Sequence, residues 1–305
     1  MIGYIAKRLL WLVLTLWVVF TVTFFLMYAV PGGPLTGERG FPPEVERNLK
    51  KRYHLDESVS QQYLRELGSY LRGDLGYPMK LPDFSVNEII ASGFPVSASL
   101  GILALVFALT LGFAAGIISA VRRQSWLDRG AMFLATIGIA LPDFVIGGVA
   151  VLLFSFVIPI FPAAGWGTVS QLILPALCLG APYAAVIARL TRTGMLDVLS
   201  QDYIRTARAK GLPGRAVIFR HALKGAMLPV VSYLGPAISG IITGSLVIEN
   251  IFFIPGLGMA FIQSVQQKDL TLSMGLVMFE TTLICVLNLL ADLAYHFLDP
   301  RIKLE

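Results

Sequence analysis

Charge is scarce in this chain. Asp, Glu, Lys and Arg make up only 14% of its 305 residues, while 56% are hydrophobic and the mean hydropathy is +0.73. Soluble domains carry roughly a quarter of their residues as charge, so a water-soluble domain is excluded at the outset. Cysteine is nearly absent. Cys178 and Cys285 both fall in long apolar runs, which excludes a disulfide framework and suits small buried packing. The three histidines, His54, His221 and His296, stand far apart at no ligand-like spacing, so no metal site is inferred. There is no G-x-x-x-x-G-K-[ST] phosphate loop. Lys210-Gly211 and Lys224-Gly225 have the order reversed, so the chain is not itself an ATPase. No Gly-x-Ser-Gly with a partnered histidine is found, which argues against an intramembrane enzyme. No internal repeat is visible, which argues against a secondary transporter built from repeated halves.

Long apolar runs are what the chain does have. A membrane-spanning helix needs roughly 20 mostly apolar residues, and hydropathy predicts six spans near 9–30, 96–121, 131–160, 171–193, 226–249 and 274–298. The first is read as an uncleaved span, because its run from Leu9 to Val30 is too long for a signal core and lacks a small-x-small cleavage site. The third is expected to kink at Leu141-Pro142-Asp143, where proline removes a backbone donor. The expected fold is an all-α integral membrane protein with three regions. These are residues 1–30, an external loop domain at 31–95, and a five-helix core at 96–305 that contains a cytoplasmic loop at 194–225.

Basic residues set the orientation. They flank the first span (Lys7, Arg8), the second-to-third connection (Arg122, Arg123, Arg129), the fourth-to-fifth connection and the C-terminal end (Arg301, Lys303). The alternate loops are poor in them. The positive-inside rule then puts both termini in the cytoplasm. Residues 31–95 hold eight basic and nine acidic residues and do not vote. Within them, Pro43-Glu44 opens a helix-like run ending in Lys50-Lys51-Arg52. Val59, Tyr63, Leu67 and Tyr70 then recur at helical spacing, until Gly73-Asp74-Leu75-Gly76 makes a turn. A cap of short helices outside the membrane is expected.

The densest basic stretch is Tyr203 to Lys224, with Arg205, Arg208, Lys210, Arg215, Arg220 and Lys224 and no acid. Ser200 or Asp202 is expected to cap a short helix over about 201 to 210, Gly211 to end it in the left-handed conformation, and Pro213 to open a second helix. Ala216, Phe219, Ala222 and Leu223 are expected to form that helix's apolar, packed face. Tethered by spans at both ends, the segment is not read as a nucleic-acid binder. It suits a topogenic loop, a surface helix drawn to anionic lipid, or a rigid knob for a cytoplasmic partner.

This segment resembles the coupling loop of ABC-importer permeases. In that family a Glu-Ala-Ala motif precedes a glycine, and here Ala207 and Gly211 take the second alanine and glycine places and Leu223 a later leucine. Arg205 replaces the family's Glu and Lys224 its Pro. Both departures are similar to the peptide-permease branch, whose strings stand here as Tyr203 to Leu212 and Arg220 to Leu223. Lys7-Arg8-Leu9-Leu10, Pro31-Gly32-Gly33-Pro34, Gly244 to Glu249, Pro255-Gly256-Leu257-Gly258 and Leu298-Asp299-Pro300-Arg301 resemble that branch too. Thr36-Gly37-Glu38-Arg39, Pro42-Pro43-Glu44 and Phe94-Pro95-Val96-Ser97 resemble the B-type subunit of oligopeptide importers.

The resemblance implies a multi-pass permease in the cytoplasmic (inner) membrane of a bacterium. Its partners would be a second homologous permease, two ATPase subunits that carry ATP and Mg, and an extracytoplasmic binding protein. The chain itself would bind no cofactor. Its substrate would be a peptide, most simply an oligopeptide, with dipeptides, nickel chelates or sugars as alternatives. Tyr203, Arg205, Thr206, Ala207, Arg208, Gly211 and Leu223 would form the ATPase-coupling surface, and Glu249, Pro255, Gly256 and Gly258 an external loop or gate. Ionisable groups within spans are functional candidates by default. Asp143, about 18 Å along a straight third span, is therefore a candidate for the translocation path, with Glu280 and Asn288 on the sixth span. Asp292 follows them nearer the cytoplasmic edge.

Overall fold

A computed structural model describes residues 2–29, 43–81 and 83–298, and every regular element among them is helical. In chain order these are α1 (Ile2–Ala29), α2 (Pro43–Arg52), α3 (Val59–Leu71), α4 (Val86–Val121), α5 (Trp126–Ala140) and α6 (Asp143–Val151). Next come α7 (Val169–Leu199), α8 (Asp202–Ala209), α9 (Gly214–Ala216), α10 (Leu223–Ala226), α11 (Leu228–Ile242), α12 (Leu246–Ile251), α13 (Leu257–Gln266) and α14 (Leu270–Leu298). The runs 30–42 and 299–305 lie outside the described residues, and with them the Pro31, Thr36 and Asp299 motifs.

Among the described residues five helices are long and apolar enough to cross a membrane: Ala6–Ala29, Val86–Val121, Val169–Leu199, Leu228–Ile251 and Leu270–Leu293. The sixth expected span is not a kinked rod. Trp126–Ala140 and Asp143–Val157 meet at 113°. Leu141 (ψ 133°) and Pro142 (ψ 148°) are both extended, so two consecutive residues leave the helix rather than one hydrogen bond being lost. Each arm is about 22 Å long at 1.5 Å per residue, too short to cross alone. The second span also starts earlier than expected, at Val86, and runs through Pro95.

The chain forms two compact units. One draws on Met1–Pro95 and Met259–Cys285, the other on Val96–Gly258 and Val286–Lys303. In the first, α2 and α3 occupy the places their sequence patterns indicate. The α3 stripe Val59, Tyr63, Leu67 and Tyr70 packs with Phe20 and Phe24 of α1 and Met274 of α14. The rings of Phe20 and Tyr63 meet edge-on at 5.4 Å, and Tyr63 shares a hydrogen bond of 2.8 Å with Thr21. Buried Asp269 joins the connection before α4 to the start of α14, accepting from the Lys80 N–H at 2.9 Å and the Leu272 N–H at 3.1 Å.

The second unit is held by close backbone approach. A Cβ on Gly112 or Gly116 of α4 would come within 2.8 or 2.7 Å of the Ala184 or Ala188 carbonyl of α7, and one on Gly101 within 2.5 Å of the Ile241 carbonyl of α11. In lipid, helices gain nothing from hiding oil from oil, and small residues let dispersion act at short range. Leu100, Leu174, Cys178, Ile241, Ile248 and Phe252 form one apolar core.

Candidate functional site

The connection from α7 to α11 is a folded elbow. α8 ends when Gly211 takes φ +77° and its N–H reaches the Arg208 carbonyl at 2.9 Å. An L side chain is strained there, which is why glycine suits the position. Pro213 caps the next element one place earlier than expected and launches α9. The helix continues through a π-helical turn, Val217–Ala222, into α10. The start of α8 also differs from expectation. Gln201 holds the N-cap position without a side-chain capping bond, Asp202 is the first helical residue, and the Ser200 hydroxyl donates backward to the Asp197 carbonyl at 2.7 Å.

The elbow has a buried seat and an exposed face. Ile204 and Ala207 of α8 join Val217, Ala222, Ala226, Met195 of α7 and Ala120 of α4 in one apolar cluster, with half-buried Leu223 against it. Tyr203, Arg205, Thr206, Arg208 and Gly211 are exposed, as are Lys210, Arg215, Arg220 and Lys224. Of the expected coupling residues, Ala207 and Leu223 therefore anchor the elbow and the others face outward.

Phe219 overturns its expected packing: it is 61% exposed. An ideal helix would put Ala216, Phe219, Ala222 and Leu223 on one face. A π turn carries more residues per turn than an α-helix, and this one turns Val217 and Ala222 inward and Phe219 outward.

The expected gate residues build a buried strut. Glu249 of α12 is fully buried, and its Oε2 accepts from the Gly258 N–H at 2.8 Å. Its backbone carbonyl receives the Ile254 N–H at 2.8 Å. Beside it, the Ser97 hydroxyl of α4 accepts from the Leu257 N–H at 2.9 Å. A Cβ on Gly244 or Gly256 would overlap the Glu249 carboxylate. The carboxylate thus fixes the loop 252–258 from inside, and within that loop Pro255 is exposed.

The path candidates lie on α6 and α14. Asp143 is half-buried at the start of α6, immediately after the 113° turn, so its depth no longer follows from a straight span. Asn288 lies on α14 in the second unit, where its Oδ1 accepts from the Ser239 hydroxyl of α11 at 2.9 Å. Glu280, also on α14, lies in the first unit and is half-buried. Among the described residues no group of three His, Cys, Asp or Glu could hold a metal ion.

Sequence reasoning missed one polar cluster altogether. Asp128 of α5 is 4% exposed. Its Oδ1 accepts from Arg192 Nε of α7 at 2.7 Å and its Oδ2 from Arg192 Nη2 at 2.9 Å. It also accepts from the Ser119 hydroxyl of α4 and, at 2.8 Å, from the Gln124 N–H, whose residue sits at φ +64°. In the sequence Arg192 is simply one more basic residue near the fourth-to-fifth connection. Its partner is 64 residues away and no local pattern links them.

Comparison with known proteins assigns the whole chain. Residues 112–304 match the family described as "binding-protein-dependent transport system inner membrane component", and residues 1–101 match that system's membrane component N-terminal family. The chain is 43% identical to the dipeptide transport system permease protein DppB of Bacillus subtilis, over 100% of this chain and 99% of that protein. It is also 43% identical to the oligopeptide transport system permease protein OppB of Escherichia coli K12, over 99% and 100%. With DppB of Lactococcus lactis subsp. cremoris the identity is 39% over 100% of both chains. The elbow, the apolar helices and these end-to-end matches make this chain a member of the family of inner-membrane permease subunits of binding-protein-dependent ABC importers.

Proposed function

We propose that this permease moves peptides inward, and that the α8–α10 elbow transmits force from ATPase partners to the membrane helices. The observation that carries the coupling role is the elbow's two-sidedness. Ile204, Ala207, Val217 and Ala222 bolt it to α4 and α7, while Tyr203, Arg205, Thr206, Arg208 and Phe219 are exposed. A lever needs both a fixed end and a contact end. Both termini and the elbow lie in the cytoplasm on this reading, as the distribution of Lys and Arg favours. ATP and Mg sit on two ATPase subunits. A second permease completes the path, and an external binding protein delivers substrate, with α2 and α3 as one surface for it to meet. Peptide cargo is favoured over nickel chelates or sugars by the names of the relatives matched at 43% identity.

Phe219 takes a new role here. An exposed aromatic amid arginines fits the composition of interface hot spots. Phe219→Ala is expected to weaken capture of the ATPase subunits by at least tenfold, measured by co-purification and titration in detergent, with membrane insertion unchanged. Capture within twofold of wild type would remove Phe219 from the interface. The path is tested separately. Asp143→Ala is expected to lower peptide uptake at least fivefold while ATP hydrolysis persists, because the carboxylate would meet the ammonium end of the peptide. Unchanged uptake takes Asp143 out of the path.

A further inference from the structure

The Asp128 cluster lies beside a cleft of about 370 Å³ at the base of the elbow. Its apolar walls come from Val121 at the end of α4, Leu196 and Leu199 at the end of α7, and Ile218 in the π turn. Ala120, Ser200, Arg123 of the α4–α5 turn and Arg208 of α8 complete it, and no carboxylate lines it. That volume leaves room for side chains rather than a lone ion.

The turn that carries Arg123 is held unusually firmly. It spans four residues between α4 and α5, with Gln124 in the left-handed region. Such a conformation persists in a non-glycine residue only when its surroundings impose it. Here the Asp128 carboxylate binds the Gln124 N–H, the Ser119 hydroxyl before the turn and the Arg192 guanidinium of α7. Ser119, Gln124, Asp128 and Arg192 thus lock the turn to the helix that leads into α8. A simple connection between two membrane helices does not need such a lock.

We propose that this cleft is a second contact for the ATPase subunit, receiving an acidic side chain flanked by aliphatic ones, with Arg123 as a recognition residue and Asp128 as the positioning residue that holds it. The inference rests on the elbow reading above and extends it to the α4–α5 turn. Two arguments select the occupant. The cleft offers two guanidiniums over an apolar floor, complementary to a carboxylate on an aliphatic base. It is also continuous with the elbow, since Arg208 belongs to both and Ile218 precedes the exposed Phe219. A two-point contact has a mechanical consequence. A partner touching only the elbow acts on α4 and α7 through its packed seat, whereas one gripping Arg123 and Arg208 together acts on the α4–α5 turn as well.

The test titrates purified ATPase subunits onto the permease pair in nanodiscs of phosphatidylcholine alone, and again in discs containing phosphatidylglycerol. Arg123→Glu is expected to weaken binding at least tenfold in both lipids. Asp128→Asn is expected to weaken it about threefold. The double variant Arg123→Gln/Asp128→Asn should be no weaker than Arg123→Gln alone, because both act through one guanidinium. Losses that add would end the positioning role of Asp128. Gly211→Val serves as the control for the elbow itself. If Gly211→Val weakens binding and Arg123→Glu does not, the second contact is refuted and the elbow stands. If neither does, the elbow reading fails as well. An Arg123→Glu effect confined to discs with phosphatidylglycerol makes the cleft a lipid headgroup site and overturns the proposal.

Discussion

Gly211→Val is expected to abolish coupled transport while leaving the chain in the membrane. Uptake and substrate-stimulated ATP hydrolysis should fall at least tenfold, with the protein still present in the membrane fraction. Gly211 has φ +77°, a region that a β-branched residue enters only under strain. That strain is of the order of 1–2 kcal/mol, enough to let the elbow rearrange but not to unfold a permease whose cores lie elsewhere. Nothing in the chain lies within 4 Å of a Cβ built on Gly211. Loss beyond the backbone strain must therefore come from whatever meets this surface from outside. Gly211→Ala makes the distinction. It costs about 1 kcal/mol of backbone strain and adds one small methyl, so most transport should survive. Full activity in the valine variant would remove the elbow from the coupling path.

Gly256→Ala is expected to damage the fold itself. Its Cβ would overlap both the Glu249 carboxylate and the Ser97 hydroxyl, neither of which is the loose end of a flexible surface chain. Relieving the overlap breaks the Gly258–Glu249 and Leu257–Ser97 hydrogen bonds. Stranding buried polar groups costs about 1–3 kcal/mol each, more for a charged one, so a loss of roughly 3–5 kcal/mol follows. The checks are accumulation in the membrane and thermal unfolding in detergent, where a fall of about 10 °C is expected from the usual 2–4 °C per kcal/mol. A fall below about 2 °C would mean that the loop yields freely and that Glu249 is not its strut. The contrast with Gly211 is instructive: one glycine is needed for its backbone angle, the other for the space it leaves.

Whatever was legible in the sequence was local. Runs of apolar residues longer than a bilayer is thick located the membrane-capable helices, because lipid demands that every backbone group be bonded within the helix. The α3 stripe read correctly because period 3.6 puts Val59, Tyr63, Leu67 and Tyr70 on one face whatever they touch. Gly211 and Pro213 marked the elbow because each changes the allowed backbone angles of its own residue. Pro142 marked the break in the third span but not its size. One missing donor predicts a kink, while the observed 113° needs the extended angles of Leu141 as well.

The sequence by itself determined that this chain lives in a membrane, which helices are apolar enough to cross it, and that a basic bent segment joins α7 to α11. Those features follow from composition and from backbone preferences within a few residues. Tertiary structure alone decided that Phe219 points outward, that Glu249 is a buried strut, and that Asp128 meets Arg192 across 64 residues. Each of those depends on which distant surfaces come within van der Waals or hydrogen-bond range, and such distances are set only when the whole set of helices packs.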